Sequence, residues 1–283
     1  MAKHIVLVHG AWQGSWSFAL LTPYLEQIGW LVHALDLPEN GCFITPDHDH
    51  SKPLNTQQPY QIQSELRKYT HYSADLQGYS TYVCDYIEKL GESVVLLGHS
   101  GGGLTISQVA EMIPEKIECL IYLVGMLLPS GSTFLDFIQH CEKAFPQMNF
   151  QGIAPYLRFE DGKSMVSAEG AQKIFLQDCA SELAQQLIAQ LKPQPESGRD
   201  LRPILTAQRF AQVKKIYVEA LKDQSLDIRM QRLMYQLQPV DAVITMDTGH
   251  VPQAIQPELL AQRLHEQLQK IEMDHEAQPD LTL

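Results

Sequence analysis

Short runs of β-branched and other apolar residues alternate along this chain with longer segments whose apolar residues recur at helical spacing. The first run, Ile5-Val6-Leu7-Val8, is continuously apolar, which is typical of a parallel strand covered on both faces. Strands are predicted at residues 5–8, 31–37, 93–97, 117–128, 215–221 and 242–246, and helices at 21–28, 79–90, 104–113, 228–237 and 257–271. This order predicts an α/β fold with a mostly parallel central sheet flanked by helices.

Two stretches interrupt the alternation. Residues 39–72 are polar and irregular, which predicts a long loop. Residues 129–203 carry helix-spaced leucines between turn residues, and we predict that they form an inserted helical cap over the site. The chain then divides into a first core part at 1–128, the cap at 129–203 and a second core part at 204–283, which ends in a frayed tail from Asp274.

The strand at residues 93–97 leads into Gly98-His99-Ser100-Gly101-Gly102, and a helical pattern begins directly afterwards. A Gly-x-Ser-x-Gly motif between a strand and a helix is typical of a nucleophile elbow, a sharp turn that presents the serine hydroxyl to a substrate. The N-terminus of the helix leaves N–H groups unpaired, so the N–H of Gly101 would face the negative charge on an attacked carbonyl oxygen. Ser100 is the candidate nucleophile, and Gly101 is one candidate oxyanion donor.

A serine nucleophile needs a histidine base and a carboxylate that orients this base. Behind a nucleophile elbow the acid and then the base follow along the chain, at the outgoing ends of parallel strands. Asp223 follows the strand at 215–221, and His250 follows the strand at 242–246. Asp227 is the competing acid, although its place at the start of a helix equally suits a capping carboxylate. His9 and His99 are predicted to have supporting, hydrogen-bonding roles.

Composition and charge narrow the class of protein. The formal charge of −12 argues against a nucleic-acid partner or an anionic membrane surface. The five cysteines are scattered without a CxxC pair, which disfavours a disulfide framework or structural zinc. The sequence has no signal-peptide pattern and no apolar run of membrane-spanning length, so we predict a reduced, cytoplasmic protein.

One run, Asp47-His48-Asp49-His50, contains metal-ligating residue types. Adjacent side chains rarely converge on one ion, so we predict a solvated loop there and no metal site.

These motifs together resemble the α/β-hydrolase superfamily over nearly the whole chain. Within it they are similar to the branch of plant methyl-ester esterases, hydroxynitrile lyases and related bacterial carboxylesterases. The residues that carry the resemblance are Val6-Leu7-Val8-His9-Gly10-Ala11-Trp12, Ala34-Leu35-Asp36-Leu37, Val94 through Gly102, and Lys215-Ile216-Tyr217-Val218 with Asp223 and Gln231. The resemblance implies the α/β-hydrolase fold and the N–H of Ala11 as the second oxyanion donor. It supports Asp223 as the acid, six residues after the tyrosine, and Trp12 is a candidate for the pocket wall.

The function implied is that of a serine carboxylesterase, which cleaves small to medium, largely apolar esters through an acyl-enzyme and needs no cofactor. Lyases of the branch carry a threonine near the position of Ala11 and a lysine after the histidine, whereas this chain has Gly10 and Val251. A hydroxynitrile lyase is the alternative enzyme, and a receptor-like ligand-binding protein is the alternative from another class. The predicted partner is a small-molecule ester, and the sequence leaves a homodimer open.

Overall fold

Six parallel strands form the central sheet of the computed structural model, which describes residues 4–41, 57–68 and 72–276. The strands in chain order are β1 (His4–Val8), β2 (Leu31–Leu35), β3 (Val94–His99), β4 (Ile117–Leu123), β5 (Leu157–Glu160), β6 (Lys163–Val166), β7 (Gln194–Pro195), β8 (Lys214–Ala220) and β9 (Ala242–Met246). The central sheet has the order β2-β1-β3-β4-β8-β9, and β5-β6-β7 form a separate antiparallel sheet. Because β2 and β3 flank β1, the loops that leave β1 and β3 lie side by side.

Helices cover both faces of the central sheet. They are α1 (Thr22–Gln27), α2 (Gln57–Leu66), α3 (Leu76–Leu90), α4 (Gly102–Met112), α5 (Phe134–Ala144), α6 (Ala168–Gly170), α7 (Ser181–Gln190), α8 (Ile228–Leu237), α9 (Pro252–Ile255) and α10 (Pro257–Glu276). Ile5 and Leu7 pack with residues of α1 and α10, whereas Val6 and Val8 pack with residues of α3, α4 and α8. This two-sided burial explains why the strand at residues 5–8 is continuously apolar. The α/β fold predicted from the sequence is confirmed.

One predicted strand is too long. The sequence predicts a strand over residues 117–128, but β4 ends at Leu123. Val124 adopts a left-handed backbone with φ 45°, and its N–H donates to Val218 O at 2.9 Å. The N–H of Met126 then donates to Ser100 O at 2.8 Å. Residues 124–128 therefore turn across the top of the sheet towards Ser100, and their apolar character reflects burial next to the site.

The polar region at 39–72 is only partly a loop. Helix α2 lies within it, and the prediction of a structureless segment is wrong there. Gln63 Nε2 of this helix donates to Ala34 O at 3.0 Å, and the guanidinium of Arg67 just after it contacts the Asp36 carboxylate at 3.0 Å. These contacts dock a weakly apolar helix onto the edge of the sheet. The Asp47-His48-Asp49-His50 run lies outside the described residues.

The cap segment, residues 129–203, contains strands as well as the predicted helices. Helices α5 and α7 lie in it, together with the sheet of β5, β6 and β7. Asp161 and Gly162 join β5 to β6 with φ angles of 48° and 72°, as in a two-residue hairpin turn. The segment therefore contains the predicted helices together with a small antiparallel sheet that the sequence analysis does not predict, while the division of the chain at residues 128 and 203 stays a prediction.

Close backbone packing joins the start of α4 to the end of β1. A Cβ atom on Gly102 would lie 2.6 Å from both Val8 O and His9 O. By contrast, a Cβ on Gly101 would meet its nearest neighbour, Ala11 N, at 3.9 Å, and Gly101 has an ordinary helical φ of −57°. Two adjacent glycines therefore differ sharply in the room around them.

We expect Gly102→Ala to destabilise the fold by about 1–3 kcal/mol, because the added methyl group must push β1 and α4 apart. Gly101→Ala is the matched control, and its free energy of unfolding should stay within about 0.5 kcal/mol of wild type. Urea unfolding followed by circular dichroism measures both values. Equal stabilities of the two variants would contradict the close packing.

Candidate active site

Ser100 lies at the turn between β3 and α4 in a left-handed backbone conformation with φ 51°. This conformation costs a residue other than glycine about 1–2 kcal/mol, so neighbouring contacts must enforce it. The Ser100 N–H donates to Leu123 O at 3.2 Å, and the Ser100 carbonyl accepts from Gly103 N at 3.0 Å and from Met126 N at 2.8 Å. Both backbone polar groups of Ser100 are therefore fixed, and its side chain projects from the sharp turn.

The structure brings the three predicted side chains together. His250 Nε2 lies 3.1 Å from Ser100 Oγ, and His250 Nδ1 lies 2.8 Å from Asp223 Oδ2. All three residues are buried. An ionised carboxylate can only accept, so Nδ1 carries the proton and a neutral His250 presents a bare Nε2 to the serine hydroxyl. This tautomer is the one that can take up the hydroxyl proton.

The loop after β8 holds the Asp223 carboxylate. Asp223 Oδ1 accepts from the backbone N–H groups of Ser225 at 2.6 Å and Leu226 at 3.1 Å, which leaves Oδ2 for the histidine. The fully buried Gln231 closes this loop, since its Oε1 accepts from Ala220 N at 2.9 Å and its Nε2 donates to Leu226 O at 2.7 Å. Asp223 thus has a fixed orientation before any substrate enters.

Asp227, the competing acid, faces elsewhere. Its Oδ1 accepts from Arg229 N at 2.9 Å at the start of α8, and its carboxylate pairs with the Arg229 guanidinium at 2.5 Å. These are the contacts of a helix-capping carboxylate. No hydrogen bond joins Asp227 to His250 among the contacts of the described residues.

Two aromatic rings and a hydrogen bond to its backbone carbonyl also hold His250. Phe175 stacks on its ring with centroids 5.1 Å apart, and His99 lies at 5.0 Å on a tilted plane. Burial lowers the pKa of His99 to about 3, so His99 is neutral and carries a single N–H. His99 Nε2 donates to His250 O at 2.9 Å, and its Nδ1 lies 3.0 Å from Gln13 Oε1. Two acceptors cannot bond to each other, so the Gln13 amide must be turned over, with its nitrogen donating to Nδ1. The supporting role predicted for His99 agrees with these contacts.

Residues of the cap segment also touch the loops that carry the acid and the base. Gln177 Nε2 donates to Lys222 O at 2.7 Å, directly before Asp223. Asp178 Oδ2 accepts from Gly249 N at 2.5 Å, directly before His250. Sequence reasoning missed both residues, because no local motif marks a side chain whose partners lie 45 and 71 positions away.

The two candidate oxyanion donors lie on neighbouring loops. Neither Ala11 N–H nor Gly101 N–H donates to another described residue, and the two backbone segments approach within about 4 Å, as the Cβ position of Gly101 shows. His9 fixes the first loop, because its Nδ1 donates to Gly10 O at 2.7 Å while its Nε2 accepts from Leu37 N at 3.1 Å. Burial lowers the pKa of His9, in agreement with this neutral tautomer.

A cavity of about 580 Å³ opens over Ser100 and His250. The cap segment supplies much of its wall, and most of the wall is apolar. The apolar lining residues are Ala11, Trp12, Leu37, Leu104, Met126, Phe134, Leu135, Ile138, Phe150, Ile153, Ala154, Leu157, Phe175 and Leu201. Trp12 belongs to this wall, as predicted, but its backbone and its ring nitrogen bond to the cap segment. A cavity of this volume suits a small to medium ligand.

Known proteins match this chain over most of its length. The family model described as "Alpha/beta hydrolase family" matches residues 5–263. This chain belongs to the α/β-hydrolase family. Solved α/β-hydrolase structures superpose on it over most of their length. Polyneuridine aldehyde esterase does so with a TM-score of 0.72 at 22% identity, over 94% of this chain and 99% of the other.

Several relatives within the α/β-hydrolase family are esterases or hydrolases by name. A pyrethroid hydrolase of Sphingobium wenxiniae is 27% identical over 92% of this chain and 85% of its own length. Polyneuridine aldehyde esterase of Rauvolfia serpentina is 28% identical over 90% and 91%. Salicylic acid-binding protein 2 of Nicotiana tabacum is 27% identical over 93% and 96%. The names of the first two relatives support ester hydrolysis at the level of the family, whereas the name of the third states only the binding of salicylic acid.

Two other kinds of feature are absent from the described part of this α/β-hydrolase chain. No described helix has both the length and the apolar content that a membrane crossing requires. Within the same ranges, no three histidine, cysteine or carboxylate side chains cluster as ligands of a metal ion would. The cytoplasmic location and the homodimer stay predictions.

We expect Gln231→Leu to lower the free energy of unfolding by about 2–4 kcal/mol, because the Ala220 N–H, Ala220 O and Leu226 O all lose their hydrogen bond to the buried amide. Gln236→Leu is the matched control, since Gln236 lies exposed on the same helix and should change stability by less than about 0.5 kcal/mol. Urea titration monitored by tryptophan fluorescence measures the difference. If the two variants unfold alike, Gln231 does not hold the Asp223 loop.

Proposed function

We propose that this protein is a serine carboxylesterase that cleaves small to medium, largely apolar esters. The observation that carries the proposal is the chain of contacts from Asp223 through His250 to Ser100, with distances of 2.8 Å and 3.1 Å. His250 follows Asp223 by 27 positions and Ser100 by 150 positions, yet it lies between them in space. This carboxylate–imidazole–hydroxyl order is the one that removal of a proton from an alcohol requires.

In the first step the Ser100 Oγ attacks the ester carbonyl while His250 Nε2 takes its proton. Negative charge then develops on the carbonyl oxygen, and the free N–H groups of Ala11 and Gly101 stabilise it. Asp223 stabilises the imidazolium that forms on His250. The protonated His250 gives its proton to the departing alkoxide, which leaves as the alcohol, and Ser100 remains acylated.

Water completes the reaction. His250, neutral again, takes a proton from a water molecule as this attacks the acyl carbonyl. The tetrahedral intermediate collapses, Ser100 Oγ regains the proton from His250, and the carboxylic acid is released. Every proton is transferred through one nitrogen atom, so the reaction needs no group beyond the side chains and the two backbone N–H groups named above.

Hydrolysis fits the site better than cyanohydrin cleavage, which needs a positive charge for the departing cyanide. The residue after His250 is Val251, which is buried against the cap segment. A Cβ at Gly10 would lie 2.8 Å from Ser100 Cβ, so there is no room for a threonine there. Arg199 lines the cavity, but its guanidinium is already paired with Glu196 at 2.8 Å.

We expect Ser100→Ala to lower kcat/KM for p-nitrophenyl butyrate by about 10⁴-fold or more, since the covalent step is lost. Initial rates of hydrolysis of the same ester measure the loss of kcat/KM. A fluorophosphonate probe should label the wild type but not the variant. Ser181→Ala, at an exposed position on α7, is the control and should keep full activity. Retained turnover in Ser100→Ala would remove Ser100 from the mechanism.

A wild type that performs only a single turnover would favour a receptor-like binding protein.

We expect Asp223→Asn to reduce kcat by about 10³- to 10⁴-fold, because an amide cannot stabilise the imidazolium and favours the wrong tautomer of His250. Asp227→Asn is the matched change four residues away. It should leave kcat within about twofold and cost about 0.5 kcal/mol of stability through the partly exposed Arg229 pair. A larger loss of kcat in Asp227→Asn would identify Asp227 as the acid.

A further inference from the structure

The cap segment holds both backbone polar groups of Trp12, the residue after the proposed oxyanion donor Ala11. The Trp12 N–H donates to Gln194 Oε1 at 2.6 Å, and the Trp12 carbonyl accepts from Lys192 N at 3.1 Å. Trp12 has a left-handed φ of 62°, which a tryptophan adopts only when its surroundings enforce it. The enforcing contacts come from residues about 180 positions further along the chain.

The side chain of Trp12 is fixed by the same part of the cap segment. Its ring N–H donates to Ser164 Oγ at 3.1 Å on β6. The Arg199 guanidinium lies 4.7 Å from the indole centroid and also donates to Ser164 Oγ at 3.1 Å. A guanidinium over an indole face is an attractive contact. The tryptophan therefore adds a second attachment between this loop and the cap segment.

Gln194 has a fixed orientation of its own. It is buried, and its Nε2 donates to Gly198 O at 2.9 Å. Because the amide nitrogen is used in this way, the amide oxygen must face Trp12 N–H. Gln194 is thus a neutral bridge between the cap segment and the loop after β1.

Ala11 lies between two anchored peptide groups. The peptide that carries Ala11 N–H also carries Gly10 O, which His9 Nδ1 holds at 2.7 Å. The next peptide carries Trp12 N–H, which Gln194 holds. With a planar peptide on each side fixed, the direction of the Ala11 N–H is fixed as well.

We propose that Gln194 is a positioning residue for the oxyanion donor at Ala11, so that the cap segment completes the catalytic centre in addition to enclosing the substrate. This inference rests on the proposed esterase function. The oxyanion donor contacts its full negative charge only in the transition state. A displacement of the donor by a fraction of an ångström therefore destabilises the transition state more than it weakens the binding of the substrate. Gln194 itself touches neither the serine nor the histidine among the described contacts.

The test compares Gln194→Leu with Gln194→Glu and with a control in the same segment. For Gln194→Leu we expect kcat for p-nitrophenyl butyrate to fall about 10- to 100-fold, with KM changed by less than about threefold. Inhibition by a trifluoromethyl ketone, whose hemiketal adduct with Ser100 carries an oxyanion, should weaken by the same factor as kcat/KM falls. At about pH 6 the carboxyl of Gln194→Glu, buried and protonated, copies both amide contacts and should restore kcat to within about fivefold of wild type.

Ser197→Ala is the control. Ser197 Oγ donates to Ala74 O at 2.7 Å, so this change loosens the cap segment without touching Trp12. Its kcat should equal that of wild type. A loss in Ser197→Ala as large as in Gln194→Leu would overturn the inference, because it would mean that any loosening of the cap segment has the same effect. Wild-type kcat in Gln194→Leu, or a change confined to KM, would overturn it too.

Hydrogen–deuterium exchange of the peptide spanning residues 9–16 provides a readout that does not depend on activity. Exchange at Trp12 should become at least about tenfold faster in Gln194→Leu and stay unchanged in Ser197→Ala. Unchanged exchange in Gln194→Leu would contradict the anchoring itself. Altered exchange in a protein whose wild type hydrolyses no ester would instead contradict the proposed function and leave the anchoring supported.

Discussion

The left-handed backbone at Ser100 is the constraint on which the rest of the site depends. Three backbone hydrogen bonds enforce it, and they come from Leu123, Gly103 and Met126. The turn can be this tight because the neighbouring glycines leave no side chain between α4, β1 and the chain after β4. The position of the hydroxyl is therefore a property of packed backbone, which has far fewer alternative conformations than a side chain on a free loop.

Local patterns were sufficient to predict the fold and the meeting of Ser100, Asp223 and His250. A parallel sheet places the ends of its strands at one edge, so a residue directly after a strand is located once the strand is recognised. Prediction from local patterns was wrong at helix α2, and it missed the strands of the cap segment. Helix α2 has few apolar residues and depends on contacts with Asp36 and Ala34, whereas the Asp161-Gly162 turn of the cap segment was a readable hairpin signal.

Side-chain amides that bridge distant segments could not be predicted from their surroundings in the sequence. Gln13, Gln177 and Gln194 stand in no motif, and Gln194 meets Trp12 across 182 positions. Gln231 differs from them, because it belongs to the residues that carry the family resemblance. The role of such an amide is set by which backbone N–H and C=O groups the fold leaves unpaired, and that is known only once the segments have met.

The neutrality of these supports also has an electrostatic consequence. An additional full charge about 5 Å from His250 would interact with a positively charged imidazole by about 3 kcal/mol at an effective dielectric constant of about 20. The ring of His99 lies at this distance, but burial lowers its pKa to about 3 and it stays uncharged. Gln13 and Gln194 carry no charge at all. The carboxylate of Asp223 is then the one carboxylate in hydrogen-bond contact with the imidazole among the described residues, so in the proposed reaction this single contact opposes the positive charge that forms on His250.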